Sequence, residues 1–80
     1  MIDHHKINEV LKIAIATKCY CRIKFKDISG IDGDVNLQIR SYEIDGNVLK
    51  IISFIIYKNP KYDQEFYFDI HNILGISPLR

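Results

Sequence analysis

The sequence predicts an α+β, mostly β fold. An N-terminal helix packs on a strongly bent antiparallel sheet of four or five strands, or on the small barrel that such a sheet makes when it closes. Three observations carry this expectation. A helical stripe of apolar residues comes first, segments alternating apolar with polar residues fill most of the remainder, and glycine-containing turns separate them. The 80 residues read as one domain, with the helix over about 4–18 and strands over about 19–26, 35–44, 48–58 and 65–73.

The helix follows from Ile7, Val10, Leu11 and Ala14, spaced to line one face, with Asp3 placed to cap its start, or Asn8 if the helix starts late. Ile13 and Ile15 widen the apolar face, as suits a helix lying on a sheet. In "CYCRIKFK", Cys19, Cys21, Ile23 and Phe25 point one way and Tyr20, Arg22, Lys24 and Lys26 the other. "DISGIDGD" reads as an acidic loop. Along "VNLQIRSYEI", Val35, Leu37 and Ile39 face inward and Asn36, Gln38, Arg40 and Tyr42 outward. "DGN", Asp45 to Asn47, is a hairpin turn. "VLKIISFIIYK" follows as the most apolar strand, with large side chains on both faces, one for the interior and one for the helix or another chain. "NPKYD" turns the chain into "QEFYFDIHNI", and the tail "LGISPLR" offers one more short strand. The expected core is Val10, Leu11, Cys21, Ile23, Phe25, Leu37, Ile39, Ile51, Phe54, Phe68 and Ile70.

Composition narrows the function. With 48% hydrophobic and 26% charged residues, the chain falls in the globular class rather than the disordered one. Its longest apolar run, "IISFII", has the size of a strand and falls short of the ~20 residues of a membrane span. "MIDHHK" has no apolar segment behind its charges, so an export signal is not expected and a cytoplasmic location is. The net charge of +1 lacks the basic excess of a general nucleic-acid binder. Residues 1–26 carry six Lys or Arg against two acids, whereas residues 27–49 carry one Arg against five acids. Basic end and acidic middle are set to meet a partner, or each other.

Cys19 and Cys21 lack the second ligand pair of a structural zinc site, and as same-face neighbours on a strand they suit a disulfide poorly. They read as small core residues in a reducing compartment. His4 and His5 are adjacent on a helix and face different ways. Asp69 and His71 form a same-face pair on the last long strand, but no nucleophile or third orienting group accompanies them, and they read as its wet side. "GIDGD" is too acidic to cradle phosphate, and "DISGIDGD" lacks the ligand spacing of a calcium loop. No metal, cofactor or enzymatic activity is expected. One surface constellation remains: Tyr20, Arg22, Lys24, Arg40 and Tyr42, joined by Tyr67, interleave aromatic and basic side chains as a platform for stacking bases and holding phosphates.

"VLKIAIATKCYCRIKFKD", "NVLKIISF" and "FDIHNI" together resemble, in order, the opening, the name-giving strand and the closing motif of the WYL domain. That domain is a small SH3/Sm-like barrel of bacterial regulators. Leu49, Lys50 and Ile51 stand where the family has Trp-Tyr-Leu, and His71 and Asn72 where its closing motif has Asp-Arg. The resemblance implies a regulatory or ligand-sensing module. Arginines of the family bind nucleic acid or small effectors, and Arg40 stands near one such basic position. The order of helix then barrel is also similar to the bacterial Sm-like RNA chaperones. The expected function is therefore non-enzymatic binding of a small effector or a short single-stranded nucleic acid. The candidate ligand residues are Tyr20, Arg22, Lys24, Arg40 and Tyr42. The alternative is an oligomeric protein-interaction or structural module that binds no nucleic acid. A homo-oligomer is expected from the two-faced apolar strand, and a membrane partner is not.

Overall fold

The computed structural model describes residues 2–79. One helix, α1 (His4–Thr17), packs on a sheet of five antiparallel strands: β1 (Tyr20–Lys26), β2 (Asp32–Asp45), β3 (Val48–Ser53), β4 (Gln64–Asp69) and β5 (Ile73–Leu79). The strand order is β4-β3-β2-β1-β5, so β4 and β5 are the two edges and the sheet is not closed into a barrel. Among the described residues no helix is long and apolar enough to cross a membrane.

α1 forms where its stripe and caps agree. Asp3 accepts the Lys6 amide at 2.8 Å, and Ile7, Val10, Leu11 and Ala14 are buried against the sheet. The helix ends in paired bonds: Lys18 N–H donates to the Ile15 carbonyl at 3.3 Å and Cys19 N–H to that of Ala14 at 3.2 Å. This Schellman closure puts Lys18 in the left-handed region, φ 56°, where glycine is the usual occupant.

β2 is the spine. Its first half pairs with β1, Asp32 opposite Lys26 through Gln38 opposite Tyr20, and its second half pairs with β3. Between the halves Ile39 lies opposite Ser53 and Ser41 opposite Ile52, so Arg40 is an extra residue, a bulge. Because side chains alternate with period two, one extra residue exchanges the faces beyond it. Leu37 and Ile39 are buried before the bulge, and Tyr42 and Ile44 pack on the core after it, opposite buried Ile51 and Leu49. Simple alternation places Tyr42 outside, and the bulge reverses that.

β3 is shorter than the apolar run suggests. It ends at Ser53, whose buried hydroxyl donates to the Gln38 carbonyl at 2.9 Å, and the Phe54 amide donates to the same oxygen at 3.2 Å. Ile55, Ile56 and Tyr57 lie beyond the strand and are exposed. The last expected strand also divides. β4 stops at Asp69, a 3₁₀ turn spans Ile70–Asn72, and β5 follows. β5 carries a bulge of its own, with Gly75 opposite Lys24 and Ile73 opposite Phe25, which turns both Ile73 and Ile76 inward and leaves Leu74 half-exposed. Pro78 sits on this edge strand, where an absent N–H is tolerated.

The core joins Ile7, Val10, Leu11 and Ala14 to Cys21, Ile23, Leu37, Ile39, Leu49, Ile51, Ile70, Ile73 and Ile76. Fully buried Leu49 and Ile51 each contribute on the order of 2 kcal/mol. Phe25 and Phe68 pack at its margin, edge to face with centroids 5.6 Å apart. Phe54, expected in the core, is only partly buried and faces a cleft instead.

Candidate functional site

The five candidate ligand residues fall in three places. Tyr20, Arg22 and Lys24 stay together on the outer face of β1, opposite Gln38, Asn36 and Asp34 of β2. There the basic strand meets the acidic one. Arg22 Nη2 donates to Asp34 Oδ2 at 2.8 Å, and Lys26 Nζ lies 3.9 Å from Asp32. The hydrogen bond and charge of Arg22, with Lys24 adding to them, hold the Asp34 carboxyl below the usual carboxylate range. Two of the six basic residues of 1–26 thus pair with two of the five acids of 27–49 within one hairpin.

Tyr42 has left that face. Its hydroxyl donates to Asn8 Oδ1 at 2.7 Å and ties β2 to α1. Arg40, the bulge residue, turns toward the connection between β3 and β4. Its Nε donates to Asp63 Oδ2 at 2.6 Å and its Nη2 to Asp63 Oδ1 at 3.0 Å, the two-pronged pairing to which a guanidinium is shaped. Nη2 also reaches the carbonyls of Tyr57 at 3.0 Å and Ile56 at 3.4 Å, and the guanidinium lies 5.2 Å from the Phe54 ring centroid. Arg40 holds Phe54–Asp63 against the sheet.

What this clasp creates is a cavity of about 190 Å³ between the end of α1, the bulge and the held segment. Ala14, Ile15 and Ile39 give it an aliphatic floor, Phe54 and Tyr57 stand edge to face with centroids 5.3 Å apart, and Gln38 and Cys19 bring polar atoms. Two cations reach it, Arg40 from the bulge and Lys18 from the helix end, the Lys18 ammonium lying 5.1 Å from the Tyr57 ring centroid. Of the residues lining this cavity the sequence reading named Arg40 as a ligand candidate and left out Lys18, Phe54 and Tyr57. Their convergence depends on the bulge, which leaves no trace in the alternation.

A broader depression of about 430 Å³ lies between the end of β1 and β4, walled by Phe25, Ile28, Phe66 and Phe68. Its walls are apolar, with Lys26, Asp27 and Asp69 at its margin, and it gathers no convergent set of polar groups.

Asp69 and His71 do not share a strand face. Asp69 ends β4 and caps the 3₁₀ turn, its Oδ1 accepting the His71 amide at 2.9 Å. Cys21 is fully buried, and burial, with neighbouring Cys19 adding, pushes its thiol up to about 11. Cys19 Sγ accepts from the Thr17 hydroxyl at 3.1 Å. Among the described residues no three His, Cys, Asp or Glu side chains converge as metal ligands would. No protein-family model, no curated protein and no solved structure matches this chain.

Proposed function

We propose that the chain is a non-enzymatic, WYL-like regulatory or ligand-sensing module that takes a small effector in the cleft between α1, the β2 bulge and Phe54–Asp63. One observation carries the reading: Lys18, Arg40, Phe54 and Tyr57, from three separate elements, converge on one partly enclosed cavity. Small-molecule sites combine mostly apolar walls with a few placed polar groups in this way. A ligand there would bridge the helix and the clasped segment, so occupancy would be felt at exposed Ile55 and Ile56. A short single strand is the less favoured ligand, because Asp34 and Asp32 offset the charge of the β1 face and Tyr42 no longer stands on it.

Thermal melts over a panel of single-ring compounds test the proposal. A ligand that fits raises Tm through mass action, and Cys19→Phe, which puts a ring among the lining side chains, abolishes the rise. A rise undiminished in Cys19→Phe, or one seen only with a single-stranded oligonucleotide, would reject the cleft as the site.

A second reading, the oligomeric interaction module, draws on the open sheet. β4 and β5 each have one strand neighbour, and Tyr67, Leu74 and Leu79 are exposed on them. It expects sedimentation as a dimer or larger at micromolar concentration and a Tm that rises with protein concentration.

A further inference from the structure

The cleft carries a chemical signature of its own, and the ligand inferred from that signature depends on the cleft being the effector site. We propose that its ligand is a small carboxylate built on a single planar ring, the ring lying against Phe54, Tyr57 and Ile39 and the carboxylate meeting the ammonium of Lys18. Size sets the ring. An apolar cavity of about 150 Å³ holds benzene, so about 190 Å³ admits one six-membered ring and a short substituent. The walls set its character, since the rings of Phe54 and Tyr57, themselves edge to face, and the branched side chains of Ile15 and Ile39 favour an apolar ring that can pack against a ring edge or face.

Charge sets the substituent. The residues lining the cavity include two cations and no carboxylate. Arg40 is committed to Asp63, whose side chain is only 12% exposed. Lys18 is differently placed, its ammonium resting over the Tyr57 ring. The amides of Cys19 and Lys18 bond the last-turn carbonyls of Ala14 and Ile15, which lessens but does not remove the negative end of α1, so the charge of Lys18 has to outweigh it.

The backbone gives an independent indication. Lys18 is the one non-glycine among the described residues with positive φ. A glycine would close the same Schellman motif without strain. Strain kept at one position points to a use for the side chain it carries, and the Lys18 side chain reaches the cleft.

The test uses the ¹⁵N-labelled full chain at constant ionic strength with three probes: benzoate, its neutral counterpart benzyl alcohol, and acetate, which has the charge without the ring. Benzoate is expected to shift the amides of residues 15–19, 38–40 and 54–57 and to bind at least tenfold more tightly than either other probe. In Lys18→Asn, whose side chain tolerates the left-handed backbone, benzoate falls to the affinity of benzyl alcohol, and benzyl alcohol is unaffected. Equal binding of benzyl alcohol and benzoate in the cleft would overturn the carboxylate while leaving the cleft as a ligand site. Silence of the cleft toward all three probes would overturn the carboxylate and count against the site itself.

Discussion

Arg40 and Asp63, 23 positions apart, are joined by two hydrogen bonds of 2.6 and 3.0 Å, and this pair holds the segment that walls the cleft. Arg40 makes the pair from the extra position of the β2 bulge. The side chains are 29% and 12% exposed, so the pair is neither a solvated surface contact nor a fully dry one. Arg40→Ala removes both bonds, the contacts to the carbonyls of residues 56 and 57, and the guanidinium over Phe54. A loss of about 1–3 kcal/mol is expected, read in urea denaturation. Amide hydrogen exchange should quicken across residues 54–63 more than elsewhere. Arg40→Lys should recover less than half of the loss, since an ammonium cannot form the fork.

Tyr42 and Asn8 connect the sheet to the helix through one hydrogen bond of 2.7 Å. Tyr42→Phe keeps the ring on the core and deletes the bond, for an expected cost of about 0.5–1.5 kcal/mol. Asn8→Ala should cost a similar amount, and the double variant should fall short of the sum of the two. Full additivity would mean that the hydroxyl does not bond to Asn8.

Stability should fall in alkali through Cys21. Its folded thiol holds its proton up to about pH 11, because burial and the nearby Cys19 disfavour the thiolate, whereas the unfolded thiol releases it near pH 9. The contribution is therefore fully present below pH 9 and lost as pH rises through about 11. It amounts to something on the order of 2 kcal/mol. Burial also raises the Tyr42 hydroxyl, which acts in the same direction above pH 10. Cys21→Ala should lower stability at pH 7 and flatten its decline between pH 9 and 11, as measured by urea midpoints across that range.

Lys18→Gly should stabilise the chain. Relieving a left-handed lysine is worth about 1–2 kcal/mol. Against this stand the added freedom of glycine in the unfolded chain and the loss of a cation near the helix C-terminus, the latter about 0.3–1 kcal/mol. A net gain of up to about 1 kcal/mol, seen as a higher urea midpoint, should accompany the loss of benzoate binding. A destabilised Lys18→Gly would show that the lysine is kept for structure.

Local patterns on the chain were readable where they stood alone. The Ile7–Val10–Leu11–Ala14 stripe, the Asp3 cap and the alternation from Cys19 to Phe25 each demand one structure, and each formed. So did the turn at Asp45–Asn47, where Gly46 takes φ +60°. The charge asymmetry was legible too, and part of it meets across the β1–β2 hairpin. The bulges at Arg40 and Leu74 were hidden, because one extra residue breaks an alternation without leaving a signal in composition. That single offset moved Tyr42 to the core and turned Arg40 to Asp63. The end of β3 was hidden for a different reason: "IISFII" is apolar throughout, and only the bonds of Ser53 and Phe54 to the Gln38 carbonyl show where pairing stops. The cleft depends on both features, so no reading of the linear sequence assembles it.

The most direct measurement is an amide-shift map of the ¹⁵N-labelled protein, titrated separately with a panel of single-ring compounds, neutral and anionic, and with a short mixed-sequence single strand. Ring compounds are predicted to shift residues 15–19, 38–40 and 54–57 alone, and the oligonucleotide to cause no more than weak, salt-sensitive changes. Saturable shifts on Tyr20, Arg22 and Lys24 with the single strand, and a cleft that stays silent to every ring compound, would contradict the cleft as the binding site.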